Sequence, residues 1–548
     1  MLSNSAISDQ FNLLSKLMDI HQENTFKSKS YSAAAFAIDK LPLALAEIPK
    51  DQIAGLKGIG ESSAKKIIEL LETGKLASLE ELIAKTPAGI LEMMQIKGLG
   101  PKKISTIWKE MGIETIGELL YACQENRLLL FKGFGAKTQQ NVAEAIEFFM
   151  RHQGHFLYAE VETYAYHMQE VLQKNFAGFQ FSLTGDFARQ MPTIENLEWT
   201  TDISKENLGG FLAQNGFSIA YEEDLTKAIG EEQVQLVFKH CSLEQFSTHV
   251  FFNSCSSSFA ETWLHQFPQT RYCSTEEQLF ASAGISYLPP YLREDPSWIN
   301  KTNYPSSDII QTGDIRGIIH SHSDWSDGTN TIEEMVKACI EMKLEYLVIS
   351  DHSKSAFYAN GLNEERIKAQ HQYIDELNRK YAPFRIFKSI ECDILNDGTL
   401  DYGDNTLSTF DLVIASVHSN LKMSEEKAMQ RLIAAIENPY TTILGHPTGR
   451  LLLSRKGYPV DHEKIIDACV ANNVVIEINA HPRRLDLDWT WVSKAQEKGA
   501  LLSINPDAHH IGGFADTKFG VLAAQKGGLL KQRNLSSFTL KELEAHLS

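Results

Sequence analysis

Residues 316–328 read RGIIHSHSDWSDG (Arg316–Gly328), and this stretch decides the fold of the C-terminal half. A short apolar run ends on two histidines at i and i+2, which on a strand face the same side. Asp327 follows on a loop with Gly328. Six further runs share this grammar: EYLVISDH (Glu345–His352), FRIFKSIECDI (Phe384–Ile394), DLVIASVH (Asp411–His418), TTILGHP (Thr441–Pro447), VVIEINA (Val474–Ala480) and LLSINPDAH (Leu501–His509). Strands rich in Val, Ile and Leu without polar alternation are buried on both faces, as in parallel α/β sheets. Six of the seven runs carry His, Glu or Asp at or near the C-terminal end. In (β/α) barrels the chemistry sits at that end of the strands. A barrel therefore gathers His320, His322, Asp327, His352, Glu391, His418, His446, Asp507 and His509 into one cluster.

Nine ligands exceed the four to six that one ion takes, so they suit two or three ions sharing carboxylates. Imidazole and carboxylate without clustered Cys point to Mn, Zn or Fe. Neighbouring divalent ions activate water at neutral pH and neutralise phosphate charge during in-line attack. A lone His would read as a hydrogen-bonded core residue, but six His and three acids at strand ends do not.

HSHSDWSDG, SDH (Ser350–His352), IECDIL (Ile390–Leu395), SVHS (Ser416–Ser419), GHPTGR (Gly445–Arg450), INAHPRRLDL (Ile478–Leu487) and PDAH (Pro506–His509) resemble the polymerase-and-histidinol-phosphatase (PHP) domain. The variant resembled is the one attached to bacterial family X DNA polymerases. The resemblance implies a distorted seven-stranded (β/α) barrel holding three metal ions. It implies Mn-dependent phosphoester hydrolysis, typically 3′–5′ exonuclease action on DNA, with the nine residues above as metal ligands. Arg450, Arg455 and Arg484 lie just after strand ends, where a guanidinium fork can hold a phosphate. An ion pair with Asp486 or Asp488 is the alternative.

A chain of 548 residues is too long for one core. Its net charge of −18 is unevenly spread. Residues 1–150 hold 17 Lys or Arg against 18 Asp or Glu, and the remainder 35 against 52. So acidic a chain is a poor bulk nucleic-acid binder, and any DNA contact must come from local motifs. Seven scattered cysteines fit a reducing cytoplasm. MLSNSAISDQF lacks the basic start and apolar core of a signal peptide, and no apolar run reaches the ~18 residues of a membrane span. We expect a cytoplasmic monomer.

The N-terminal third holds an internal repeat. Lys57-Gly58-Ile59-Gly60, Lys97-Gly98-Leu99-Gly100 and Lys132-Gly133-Phe134-Gly135 each precede a helical pattern. The glycines permit a tight turn that exposes backbone N–H groups at the next helix start. Such an end binds a phosphate without reading bases. Lys102 and Lys103 follow the second turn. This is helix-hairpin-helix grammar, against the plainer alternative of a Gly-capped bundle. FKSKSYSAAAFAI (Phe26–Ile38) also resembles the opening domain of family X polymerases, whose lyase-active members carry a Schiff-base lysine. Lys66 is the matching position, although a phosphate-contacting or solvated lysine is the favoured reading.

Between these parts, FSLTGDFARQ (Phe181–Gln190) and PPYLRE (Pro289–Glu294) stand in the order of a nucleotidyltransferase palm and thumb. The family motif begins Gly-Ser, carries two Arg and runs to an Asp-x-Asp pair. Here Asp186 follows Gly185, Arg189 remains of the arginines, and Asn196 and Glu198 fall where the paired acids belong. The third acid falls near Gln235, in EQVQLVF. Neutral amides bind Mg weakly, so this palm is expected to be dead for synthesis.

The expected organisation is multidomain. An all-α helix-hairpin-helix region spans 1–150, a degenerate α+β palm and thumb 151–292, a linker 293–315, and an α/β distorted (β/α)7 barrel 316–548. The function expected is a DNA-binding phosphoesterase using two or three divalent metals, Mn first and Zn or Fe as alternatives. It is expected to act on strand ends, gaps or single strands of DNA, as a 3′–5′ exonuclease or 3′-end processing enzyme in DNA repair. The rival readings are a histidinol-phosphate-type phosphatase, a non-catalytic DNA-end scaffold and an active family X polymerase.

Overall fold

The computed structural model describes residues 2, 4–39, 41, 43–151, 154–269, 272–301 and 306–548. It forms two compact units, one of Met1–Gln124 with Leu128–Phe149, the other of Glu125–Arg127 with Met150–Ser548.

The first unit is all helical. Helices Asn4–Ile20 and Thr25–Asp39 form a hairpin whose buried stripe includes Phe11, Leu14, Tyr31 and Ile38. Helices Glu61–Thr73, Pro101–Lys109 and Ala136–Arg151 each start one residue after a Gly-x-Gly turn.

In the second unit the strands are, in chain order, β1 (Phe156–Leu157), β2 (Phe181–Thr184), β3 (Thr193–Ile194), β4 (Asn196–Thr201), β5 (Ser218–Tyr221), β6 (Leu225–Ile229) and β7 (Gln235–His240). β1 pairs with β3, and the others form a sheet in the order β2-β4-β7-β6-β5. Its central pair, β4 and β7, is parallel, and its other pairs are antiparallel. Helix Tyr158–Asn175 packs on this sheet; Trp199 donates to Gln169 at 2.8 Å and stacks on Phe238. Three helices follow (Phe246–Asn253, Ser257–Gln266 and Glu276–Ser282) around Phe251, Trp263 and Phe280. Arg293 is fully buried among these rings, its charge matched by Glu276 at 2.6 Å.

The stretch read as a linker is docked where it is described. Arg293, Trp298, Ile299, Ile309 and Ile310 are all buried, and short 3₁₀ turns cover Pro296–Asn300, Ser306–Asp308 and Thr312–Asp314. Its scattered apolar residues lack a period, which is why sequence alone shows no element there.

Each of the seven apolar runs contains one strand: β8 (Gly317–Ile318), β9 (Tyr346–Ile349), β10 (Arg385–Asp393), β11 (Leu412–Ser416), β12 (Ile443–Leu444), β13 (Val475–Asn479) and β14 (Leu502–Asn505). All pair in parallel in sequence order. Every residue of β9, β11, β13 and β14 is buried, as parallel strands covered on both faces require. The crossover helices include Ile332–Glu341, Glu364–Tyr381, Glu425–Ile436 and His462–Asn472. They are capped by Thr331, Asn363, Ser424 and Asp461 side chains that accept from backbone N–H groups. The barrel closes past the strand ends, where Ser321 bridges Ala508 and the His322 N–H donates to the Ala508 carbonyl at 2.9 Å. Among the described residues no helix is long and apolar enough to cross a membrane.

Candidate metal centre

The barrel closure sets the site. It places His320 and His322, after β8, beside Asp507 and His509, after β14. His352 follows β9, Glu391 lies near the end of β10, His418 follows β11 and His446 follows β12. Asp327 comes from the loop after β8. That loop is folded around the buried Asp351 carboxylate, which accepts from the Ser323 backbone and hydroxyl, Ser326 and Gln370 at 2.5–2.7 Å. Gly328 is required there, since a Cβ would sit 2.2 Å from the His322 carbonyl.

All nine sequence-predicted residues meet in one buried cluster. Glu391 is its centre. One carboxylate oxygen faces Nε2 of His320, His418 and His446 at 3.3, 3.1 and 2.9 Å. The other faces Nδ1 of His352 at 3.0 Å and Nε2 of His322 at 3.6 Å. Asp507 lies 3.1 Å from His322 and 3.4 Å from His320. Asp327 faces His352 and His509 at 3.5 and 3.6 Å. Three groups have donor atoms close enough to share an ion: His322, Asp327, His352 and His509; His320, His322 and Glu391; and His352, Glu391 and His418.

The donor chemistry fits divalent metals. His320 Nε2, His322 Nδ1, Asp327 Oδ2, His352 Nδ1, Glu391 Oε2, His446 Nδ1 and His509 Nε2 are buried without a hydrogen-bond partner. Buried polar atoms are otherwise almost always paired; His320, His322, Asp327, His352, Glu391 and His509 all belong to the groups close enough to share an ion, as a ligand shell requires, whereas His446 faces Glu391 through Nε2 and its Nδ1 points elsewhere. Electrostatics agrees. Burial opposes charge on His320 and His352, yet the surrounding carboxylates raise both well above the usual imidazole range. Burial likewise opposes charge on His418 and His509, but Glu391 and Asp393 lift the first to about 10 and Asp327 the second to about 9. His322 is lowered by burial and by its neighbours His509 and His352. Burial works against Asp327, Glu391 and Asp507 too, and the imidazoles hold all three well below the carboxylate range. The carboxylates thus draw positive charge onto the imidazoles around them, the place that divalent cations would take. His320, His446 and Asp507 also share positive φ angles of 64°, 22° and 51°, a rare backbone state that concentrates at functional sites.

Outer partners escaped the sequence reading. Asp393 accepts from His418 Nδ1 at 2.6 Å, and Glu477 from His320 Nδ1 at 2.7 Å. The signal for Glu477 was a carboxylate inside the apolar run VVIEINA, which must be paired to be buried.

The three arginines separate. Arg450 is held by Asp488 and by the Arg484 and Leu485 carbonyls, and Arg455 by the Gly449 carbonyl. Both brace the loops. Arg484 reaches the cluster, its Nε 3.7 Å from Asp507.

In the helical unit the three turns are copies. Gly58, Gly98 and Gly133 have φ of 87°, 92° and 97°. Ile59, Leu99 and Phe134 each bond back three residues, to Leu56, Ile96 and Phe131, and plug the core. Gly60 and Gly100 cap their helices, and the Gly135 carbonyl accepts from Gln139 at the start of the third. A Cβ on Gly60, Gly98, Gly100, Gly133 or Gly135 would meet open space. Lys102 is exposed, and Lys103 folds back toward the Gly98 carbonyl at 3.2 Å. Lys66 donates to Ser78 at 2.6 Å and lies 5.7 Å from the Tyr31 ring centre.

In the mixed sheet, Asn196 pairs directly with Gln235 across β4 and β7, and Glu198 lies two residues along on the same face. Asp186 and Glu294 hold Arg189, Glu294 at 2.8 Å.

Comparison with known proteins accords with this geometry. Family models for a helix-hairpin-helix domain match residues 3–76, a SAM-like helix-hairpin-helix tandem residues 90–147 and a PHP domain residues 319–481. A probable phosphatase of Caldanaerobacter subterraneus is 29% identical over 35% of this chain and 74% of its own length. One of Thermoanaerobacter sp. is 28% identical over 35% and 77%. The DNA polymerase/3′-5′ exonuclease PolX of Bacillus subtilis is 33% identical over 97% of this chain and 96% of that protein. With helical turns, mixed sheet and barrel all falling inside that one alignment, the chain belongs to the PolX family.

Proposed function

We propose that this protein is a metal-dependent phosphoesterase that trims DNA from the 3′ end in the reducing cytoplasm, and that its palm no longer synthesises DNA. The observation that carries the reading is the cluster of nine imidazole and carboxylate side chains centred on Glu391, seven of which hold a buried atom with no hydrogen-bond partner. Residues 1–150 grip the DNA backbone, 151–292 are the palm and thumb, 293–315 connect, and 316–548 cut. His322, Asp327, His352 and His509 would hold one ion; His320, His322, Glu391 and Asp507 a second; and His352, Glu391, His418 and His446 a third. Manganese is the ion that suits a mixed imidazole–carboxylate set on a phosphoester. Such ions, when bound, activate water and neutralise phosphate charge. Arg484 sits beside Asp507, where its guanidinium can hold a substrate phosphate. The strained backbone of His320, His446 and Asp507 fixes the donor directions before substrate arrives.

Loss of synthesis is supported by the palm face. Two of its three acid positions are amides, and Lys239 lies 2.5 Å from the remaining Glu198. A small-molecule phosphatase is the second reading, favoured by the likeness of the barrel to probable phosphatases.

The test is Mn-dependent digestion of a 5′-labelled single-stranded oligonucleotide by wild type and by H320A/H322A. A ladder shortening from the 3′ end, lost in the variant, is expected. Brisk cleavage of phosphomonoesters with the oligonucleotide left intact would instead establish the phosphatase.

A further inference from the structure

β13 is the barrel strand that supplies none of the nine donors, yet it carries Glu477, a carboxylate with no exposed surface at all. We propose that Glu477 is a positioning residue, fixing the inward nitrogen of His320 and the backbone of His446. This rests on the reading of the cluster as a metal centre.

Four donors use up the carboxylate. One oxygen accepts from His320 Nδ1 at 2.7 Å and Asn505 Nδ2 at 2.8 Å. The other accepts from the His446 backbone N–H at 3.0 Å and Asn479 Nδ2 at 3.1 Å. Glu477 is therefore spent on its neighbours rather than on an ion. A neutral imidazole has one N–H. Accepting it at Nδ1 leaves the Nε2 lone pair of His320 facing Glu391 and Asp507, at 3.3 and 3.4 Å. The same carboxylate holds the amide of His446, whose φ of 22° is a conformation L-residues avoid. His320, at φ 64°, is likewise held against its preference. One side chain thus restrains two donors from β8 and β12, strands that do not pair with each other.

Glu477→Gln tests this in the full chain. The amide can still fill the space, but its NH₂ confronts donors that the carboxylate satisfied. Mn(II) titration by calorimetry, with metal content after gel filtration, is expected to show affinity weakened about 10–100-fold relative to wild type at the ions that His320 and His446 would hold. The ion of His322, Asp327, His352 and His509 should bind as before, and Glu477→Asp should recover part of the loss. Unchanged Mn(II) affinity in a folded E477Q chain, with only its melting temperature lowered, would overturn the proposal and leave the metal reading standing. Failure of wild type to bind Mn(II) or Zn(II) would overturn both. Should E477Q not fold, ¹⁵N spectra of histidine-labelled, Zn(II)-loaded wild type decide it. His320 must carry its proton on Nδ1, and a proton on Nε2 sinks the proposal.

Discussion

The ammonium of Lys239 on β7 lies 2.5 Å from the Glu198 carboxylate on β4, in the sheet where a nucleotidyl transferase would gather its acids. A cation from the chain itself thus takes the charge that a divalent ion would need, and Asn196 opposite Gln235 adds no carboxylate to compete for it. We expect no templated dNTP incorporation in primer extension with Mg or Mn. A ladder of extended primers would refute this.

Glu391 faces five imidazoles, whereas Asp327 faces three. Glu391→Ala should therefore strip most bound metal and lower phosphodiester hydrolysis on the order of 10³-fold. Asp327→Ala should remove a single ion. Metal-to-protein ratios by mass spectrometry read both; equal losses from the two variants would contradict this geometry.

Gly98 sits at φ 92° with open space beyond it, so alanine there is strained by backbone and not by crowding. Gly98→Ala should cost about 1 kcal/mol of stability in the helical unit. Combined with changes at Gly58 and Gly133, it should weaken binding to duplex DNA at least tenfold and leave cleavage of a small phosphodiester untouched. Fluorescence anisotropy and a chromogenic diester separate the two effects.

Lys526 is almost wholly buried, hydrogen-bonded to the Arg189 carbonyl at 2.8 Å and 3.7 Å from Glu294. Burial pulls its amine down to about 8, with Glu294 resisting. A depressed lysine binds its proton less well folded than unfolded. Below pH 8 both states are protonated and the full cost of burying the charge is felt. From pH 8 to about 10.5 only the unfolded state holds the proton, so this residue's contribution to stability rises with pH, by at most about 1.4 kcal/mol per unit. Lys526→Met should lack that rise. Urea unfolding of both chains at pH 7.5, 9 and 10 checks it, and parallel pH curves would count against it.

What was legible in the sequence follows from burial. Strands covered on both faces have no alternation to blur them, so the seven runs stood out, and the donors at their ends followed from barrel geometry. In the palm, counting forward without gaps put Asn196 and Glu198 where the paired acids belong and the third acid near Gln235, and the sheet sets Gln235 opposite Asn196. Glu477 stayed hidden because it sits inside its run, away from the strand end where chemistry is sought. For Arg450 the sequence left a phosphate or an ion pair with Asp486 or Asp488 open, and the fold pairs it with Asp488; the carbonyls 35 and 6 residues away that accept from Arg450 and Arg455 have no local signal. The docking of 293–315 was equally invisible, since its buried Trp298 and Ile310 find their partners in distant segments.

The bridge between Ser321 and Ala508 has a consequence in time. His322 and Asp507 are 185 residues apart in sequence and 3.1 Å apart in the fold. Synthesis lays down the first donors long before the last. A growing chain therefore carries no assembled donor cluster until its final strand has emerged and closed the ring, and a chain broken off before Asp507 never gathers the full set.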